Sequence, residues 1–398
     1  MGKDAAAVRI AMTVAAAGTH GGTMLTVKHE AGLDTDDPVI ECRAETGTIN
    51  ADLSIGTDVT TVRPLRANGG ICSPGVKLHG AGFIVTPAQA AALGLGHRPG
   101  LDAHIRPYRN GRDLLQRSRG VLVIDLFGLT EREVRDRFPE VYSHLLATVK
   151  PGRDAQAAKS PSADANAYAR LWWLFGKPRS ELRPTLAGLS RFIGTVETAK
   201  HRIFQFLDAS ILPDNMIVAI GSDDAFHLGV LSSTLHAEWT LQLGGWLGFG
   251  NDNRYSKSLV FDPFPFPAAT PAQRATIAAI AGDLDVTRRA ALDEVPSLTM
   301  TGLYNLVAAV RRGEAGDEAV VRRARARIVA KLHDDLDVAV AAAYGWADDH
   351  AAGRLTPTAI VARLVALNAE RRIEEAAGFI RWLRPDYQAS GAAVTAPD

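Results

Sequence analysis

Along the chain, the spacing of apolar positions changes twice. Up to about residue 75 they come in short runs alternating with polar residues. Segments 8–14, 24–28, 39–43 and 48–53 are β-branched or alternating and are separated by Gly, Asp and Pro. That period of two predicts strands with one buried face. From 76 to 267 the pattern is mixed. Thr86-Pro87-Ala88-Gln89 predicts a helix start, because Thr caps, Pro fits the first turn and Gln reaches back. Residues 121–127 predict a strand broken only by Asp125, and Thr130-x-x-Glu133 opens a helix to about Val149. Residues 151–166, rich in Ala, Ser, Asp and Pro, predict a surface loop. Segments 192–195 and 215–221 read as buried strands; Asp223 or Asp224 then caps a helix to about Leu243, which Gly244 and Gly245 stop. Beyond Pro267 the helical period dominates. Thr270-Pro271-Ala272-Gln273 repeats the earlier cap, and Ile360, Val361, Leu364, Val365 and Leu367 line one face of a last helix that opens at Thr356-Pro357. The fold class expected is α/β (mixed α+β): a β-rich segment at 1–75, a mixed domain at 76–267, an all-α domain at 268–387 and a disordered tail at 388–398.

Composition narrows the class. Apolar residues make up 46% of 398, enough for a buried core across two or three domains. No apolar run approaches the ~18 residues of a membrane helix. The alanine-rich stretch 5–17 is interrupted by Arg9 and alternates like a strand, so a signal peptide is not expected and the compartment expected is the cytoplasm. Cys42 and Cys72 form no C-x-x-C pair, which disfavours a thiolate metal site or a disulfide scaffold.

Lys plus Arg equals Asp plus Glu at 44 each, yet the charge is segregated. Residues 98–119 hold six arginines against Asp102 and Asp113, and 170–202 hold seven Lys and Arg against Glu181 and Glu197. Two such stretches suit a polyanion, since each phosphate contact releases condensed counterions. Solvated faces carrying ordinary salt bridges explain them equally well. Arg106, Arg109, Arg112, Arg191, Lys200, His201 and Arg202 are the candidate phosphate-gripping residues. The polar run 251–257 offers Asn251, Asn253, Arg254, Tyr255 and Lys257 as candidate base readers, because Asn and Arg make bidentate contacts to base edges. A turn whose Asn and Asp satisfy local backbone is the competing reading.

Other chemistries find little support. Gly244 to Gly250 is glycine-rich but follows a helix, the wrong order for a nucleotide-binding turn. G-x-S-x-G and the Walker motif are absent, and Ser232 and Ser233 fall within a helix. His333-Asp334-Asp335-x-Asp337 reads as an acidic helix face rather than a metal site, and Asp125 is a single carboxylate without a partner in sequence. No catalytic, cofactor-binding or metal residue is assigned.

Several ordered motifs carry a resemblance. They are Gly75-Val76-Lys77-Leu78-His79-Gly80, Ile105-Arg106-Pro107-Tyr108-Arg109-Asn110-Gly111, Val123-Ile124-Asp125-Leu126-Phe127-Gly128, and Tyr168-Ala169-Arg170-Leu171-Trp172-Trp173. Glu197-Thr198-Ala199-Lys200-His201-Arg202, Leu228-Gly229-Val230-Leu231-Ser232-Ser233, Phe261-Asp262-Pro263-Phe264-Pro265-Phe266-Pro267, Leu367-Asn368-Ala369-Glu370-Arg371 and Trp382-Leu383-Arg384-Pro385-Asp386-Tyr387 follow. The whole resembles the C-terminal half of Type IIL restriction–modification enzymes, which fuse nuclease, adenine-N6 DNA methyltransferase and target-recognition domain.

The resemblance implies that 1–75 are the last strands of a methyltransferase domain and 76–267 a DNA target-recognition domain. It further implies a partner in duplex DNA and S-adenosylmethionine as cofactor of the methyltransferase part, with no membrane partner. The chain departs from the family in lacking the Asp-Pro-x-Cys-Gly-x-Gly-like turn and the Asn-Pro-Pro-Tyr motif, so it is expected to be inactive alone. Either it is the specificity half of a split enzyme, with a methyltransferase or nuclease chain encoded nearby, or it is a truncated, partner-dependent fragment. An unrelated small-molecule enzyme using Asp125 and a histidine is the remaining alternative.

Overall fold

The computed structural model describes residues 11–15, 18, 21–33, 35–247, 252–314 and 316–389. Its fold is mixed α/β. Strands Gly22–Ala31 and Val39–Gly47 form an antiparallel hairpin, with a register shift between Val27 and His29. Of the strand expected at 8–14, residues 8–10 lie outside the described residues and 11–14 form no strand, and 48–53 contribute only an isolated bridge between Ile49 and Ile55.

Two four-stranded sheets build the middle of the chain. One runs Leu212–Pro213, Ile105–Arg109, Leu122–Ile124, Ile84–Val85, with only the first pair parallel. The other runs Cys72–Pro74, Ile217–Ile220, Arg191–Val196, Gln205–Asp208 and is antiparallel throughout. Period-two alternation places this second sheet between two cores. Ile217, Ala219, Phe192 and Val196 face a core shared with Phe83, Val123 and Trp172. Val218, Ile220 and Ile193 face another, shared with Phe226, Phe261, Phe264 and the C-terminal helices.

One core therefore runs across residue 267. Helix Ala225–Ser232 packs on Pro271–Glu294 so closely that a Cβ on Gly229 would lie 2.5 Å from Ile277 Cγ2. The boundary drawn at 75 is crossed as well, because Cys72–Pro74 is an edge strand of the second sheet.

Caps read from sequence appear at Thr86, Thr130 and Thr270, each with both bonds of a capping box. Three longer readings are corrected. The helix expected to Val149 breaks into Glu131–Arg137 and Pro139–Thr148, since Pro139 has no N–H for the ladder. The helix expected from Asp224 to Leu243 restarts at Ser233, which caps Thr234–Leu243. The loop expected over 151–166 is mostly helical, in Lys150–Lys159 and Ala163–Arg170. It is held by the buried Arg153, which donates to the carbonyls of Leu78, His79, Tyr168 and Leu171. Of the tail, 388 ends the short helix Pro385–Gln388, and 390–398 lie outside the described residues.

Residues 63–69 tie these parts together. Asn68 Nδ2 donates to the carbonyls of Phe261, Asp262 and Phe264 at 3.0, 3.0 and 2.7 Å. Glu375 accepts from the amides of Arg66 and Ala67, both at 2.8 Å. Asn368 bonds both backbone groups of Arg63 and the carbonyl of Pro263. Beside this strap, Asp262 Oδ1 is buried without a partner among the described residues, and burial pushes its carboxyl up to about 6.

Two outcomes follow from the strap. Asn68→Ala removes the donor to the buried Phe264 carbonyl, while those of Phe261 and Asp262 keep the amides of Phe264 and Leu65, and it should cost about 2–3 kcal/mol in urea denaturation. Asp262 is raised in the folded state, so its penalty is absent below the unfolded value and complete above pH 6. Asp262→Asn should therefore raise stability at pH 8, by up to ~3 kcal/mol, and change it little at pH 4.

Candidate nucleic-acid interface

Strand Arg191–Val196 spans about 17 Å and has basic groups at both ends. At its start, Arg191 donates to the Asp223 carbonyl and lies 3.7 Å from the Phe206 ring centroid. Arg106 lies near the same end, with Nε on the Ser210 carbonyl and Nη2 on that of Ala209. Desolvation lowers its pKa.

The far end gathers more. Helix Gly111–Leu115 approaches it so closely that a Cβ on Gly111 would sit 2.8 Å from Val196 Cγ1. This brings Arg112, exposed and without a side-chain partner among the described residues, beside the turn that follows Val196. Arg109 is on the adjoining strand, and its carbonyl accepts from Asp214. In the turn, Lys200 Nζ and His201 Nε2 both contact Asn305 Oδ1 at 2.9 Å. Asn305 lies on helix Met300–Arg312, in the domain assigned no DNA role from sequence. Its exposed position left no periodic signal that could have marked it. Arg254 reaches the same turn through a 2.5 Å ion pair with Glu197 and keeps half of its side chain exposed.

Other candidates have structural work. Arg202 is largely buried and has no carboxylate partner among the described residues. It donates to the carbonyls of Val196 and Asn253 and to Thr195 Oγ1. Desolvation lowers its pKa to about 10. It clamps the turn to strand Asp252–Arg254 and is not presented to a phosphate. Asn253 is also buried, with Nδ2 on the Thr240 carbonyl, and Tyr255 is fully buried against Phe204 with its hydroxyl near His236 Nε2. Neither presents its side chain to a base, because both point from this short sheet into the core. Lys257 is half-buried and Asn251 lies outside the described residues.

The remaining chemical candidates are accounted for locally. Asp125 makes two 2.7 Å bonds to Arg183 Nη2, which ends its reading as a catalytic acid. Asp334 pairs with Arg311, Asp335 with Lys331, and Asp337 accepts from the Thr234 amide and hydroxyl. No cluster able to hold a metal occurs among the described residues. Gly244 follows helix Thr234–Leu243 and leads into strand Gly245–Leu247, an order that does not fit S-adenosylmethionine binding.

Residues 74–268 match the family model described as MmeI, target recognition domain. The solved structure of the Type IIL restriction–modification enzyme MmeI in complex with DNA aligns at a TM-score of 0.62 and 20% identity, covering 88% of this chain and 42% of that one. At that identity the likeness establishes the fold, and the chain spans less than half the length of its solved neighbour. No curated protein matches.

Burial separates two kinds of arginine here. Arg202→Ala should lower unfolding free energy by about 2–4 kcal/mol, because it leaves buried carbonyls unpaired. Arg112→Ala should change it by less than ~0.5 kcal/mol, and chemical denaturation of the two variants checks the contrast.

Proposed function

We propose that the chain, whose residues 74–268 match the MmeI target recognition domain model, recognises duplex DNA sequence-specifically, as the specificity part of a Type IIL adenine-N6 DNA methyltransferase or restriction enzyme. One observation carries this reading. Arg112, Lys200, His201 and Arg254 lie around one end of Arg191–Val196, inside the matched segment, and Arg109, whose Nη1 donates to the Tyr108 carbonyl, ends the strand that leads into helix Gly111–Leu115. The solved neighbour is described in complex with DNA, which supports the same class of partner.

In this reading Arg112, Arg109, Lys200 and His201 contact phosphates, and Arg254 leaves Glu197 to meet a base edge. Arg106 and Arg191 keep loops 208–210 and 222–224 in place at the other end. S-adenosylmethionine is assigned to a methyltransferase part, as the family resemblance implies. The cytoplasm is the compartment that fits such a partner, and no described helix is long and apolar enough to cross a membrane.

A second reading, dependence on a methyltransferase-bearing partner, is favoured by the hairpin. Its paired positions put Leu25, Val27, Ile40, Cys42 and Ala44 on one face, and Glu41, Arg43 and Glu45 on the other. The apolar face is exposed: Leu25 by 64%, Ile40 by 51% and Val27 by 47%. A two-stranded ribbon of this kind gains its stability by packing against further strands or a helix.

The test is binding of the purified chain to mixed-sequence duplex DNA across a salt series. Affinity should fall steeply with salt, and Arg112→Ala should lower it on all sequences while reducing the log–log slope by about one. Arg254→Ala should cost ~1–3 kcal/mol and relax a single position in a site selection. A folded chain that fails to bind at low salt, yet binds once a methyltransferase chain is added, favours the partner-dependent reading.

A further inference from the structure

The sheet that carries Arg109 continues sideways past its edge strand. Leu212–Pro213 pairs with Ile105–Arg109, Val76 bridges Asp214 in parallel, and Lys77 bridges Lys177 in antiparallel. The approach is close enough that a Cβ on Gly75 would lie 2.2 Å from the Pro213 carbonyl oxygen.

Register fixes which side chains share a face. Paired residues point the same way, and successive residues along a strand point oppositely. Arg109 pairs with Pro213, so Asp214 and its partner Val76 lie on the other face. The Tyr108 hydroxyl donates to Asp214 there, and Val76 and Tyr108 are both buried. Lys77 and its partner Lys177 therefore return to the face of Arg109. The row Arg109, Lys77, Lys177 crosses three strand spacings, about 14 Å.

The two lysines are a hydrogen-bonded pair, the amide of each donating to the carbonyl of the other at 2.9 and 3.0 Å. In such a pair the Cα atoms are ~5.5 Å apart and both side chains leave on one side. Like charges held directly opposite each other are destabilising. Both side chains are exposed, and neither has a hydrogen bond or ion pair among the described residues. Asp214, the acid nearest in register, faces away and accepts from the Tyr108 hydroxyl and the Met216 amide. The lysine charges also reach His79, whose pKa is lowered by burial and then by Lys77, Arg153 and Lys177, against an opposing pull from Asp164. An anion bound across the pair would relieve this repulsion.

We propose that Lys77 and Lys177 form a second phosphate contact, which carries the path of duplex DNA from Arg112 and the 197–202 turn past Arg109 and across this sheet. The inference rests on the DNA reading above and extends its footprint to two residues 100 positions apart. Duplex DNA carries one charge per ~1.7 Å of axis, so a row of this length faces several phosphates.

The test compares Lys77→Ala/Lys177→Ala with the unsubstituted full chain in binding to mixed-sequence duplex DNA across a salt series. Lys77→Arg/Lys177→Arg keeps the charges. Lys331→Ala removes a lysine paired with Asp335 on its own helix and controls for net charge. The slope of log affinity against log salt should fall by about two in the alanine variant on every sequence, and stay unchanged in the other two. Urea denaturation should find the alanine variant at least as stable as the unsubstituted chain, since an opposed like-charge pair is gone. If the unsubstituted chain binds and the alanine variant keeps its slope, this proposal is overturned while the DNA reading stands. An equal fall in Lys331→Ala also overturns it, because net charge would then account for the effect. No binding by the unsubstituted chain removes the DNA reading for the chain alone, and this proposal with it.

Discussion

Residues 63–69, which include the 3-10 turn Arg66–Asn68, bury Leu65, Ala67 and Asn68, and the polar groups they carry inside must be satisfied there. The partners come from more than 190 positions away. Asn68 serves the turn at Phe261–Phe264, Asn368 serves Arg63 and Pro263, Glu375 serves Arg66 and Ala67, and Gln388 donates to the carbonyls of Ala67 and Gly69. A buried loop without such partners would be excluded by the cost of its unpaired amides and carbonyls. The strap accordingly fixes the C-terminal helices against the turn that follows strand Asp252–Arg254, and so fixes one side of the proposed DNA-facing turn.

Arginine has a second role beyond surface charge. Arg153, Arg202 and Arg384 donate mainly to the chain's own carbonyls, and Arg288 reaches the carbonyl of Phe204 from a helix in the C-terminal domain. A guanidinium carries five donors in a fixed fork, so one side chain can hold several loop carbonyls at once. This explains how a chain with as many acids as bases can contain arginine-rich stretches whose members do not all meet a polyanion. Arg112, exposed and without a side-chain partner among the described residues, and Arg254, held by the Glu197 carboxylate at the surface, remain available.

The motif Phe261-Asp262-Pro263-Phe264-Pro265-Phe266-Pro267 was legible as part of a resemblance, but its physical task was not. Its carbonyls are the acceptors for Asn68 and Asn368, and its rings pack with Trp239 and His236. The base-reader candidates show the opposite error. Residues 251–257 are polar in composition, yet Asn253 and Tyr255 turn inward because the strand alternates and Arg254 takes the outer face.

From sequence alone came the helix caps, the hairpin strands, the mixed α/β class and the family to which the motifs point. All are local signals: a capping side chain, a period of two, or an ordered string of residues within a few positions. Tertiary structure decided which basic residues face outward, that Asn305 joins Lys200 and His201, and that one core crosses residue 267. Those outcomes depend on contacts between segments tens to hundreds of residues apart. Whether an arginine faces a phosphate or a carbonyl is set by what packs beside it, and no local pattern records that neighbour.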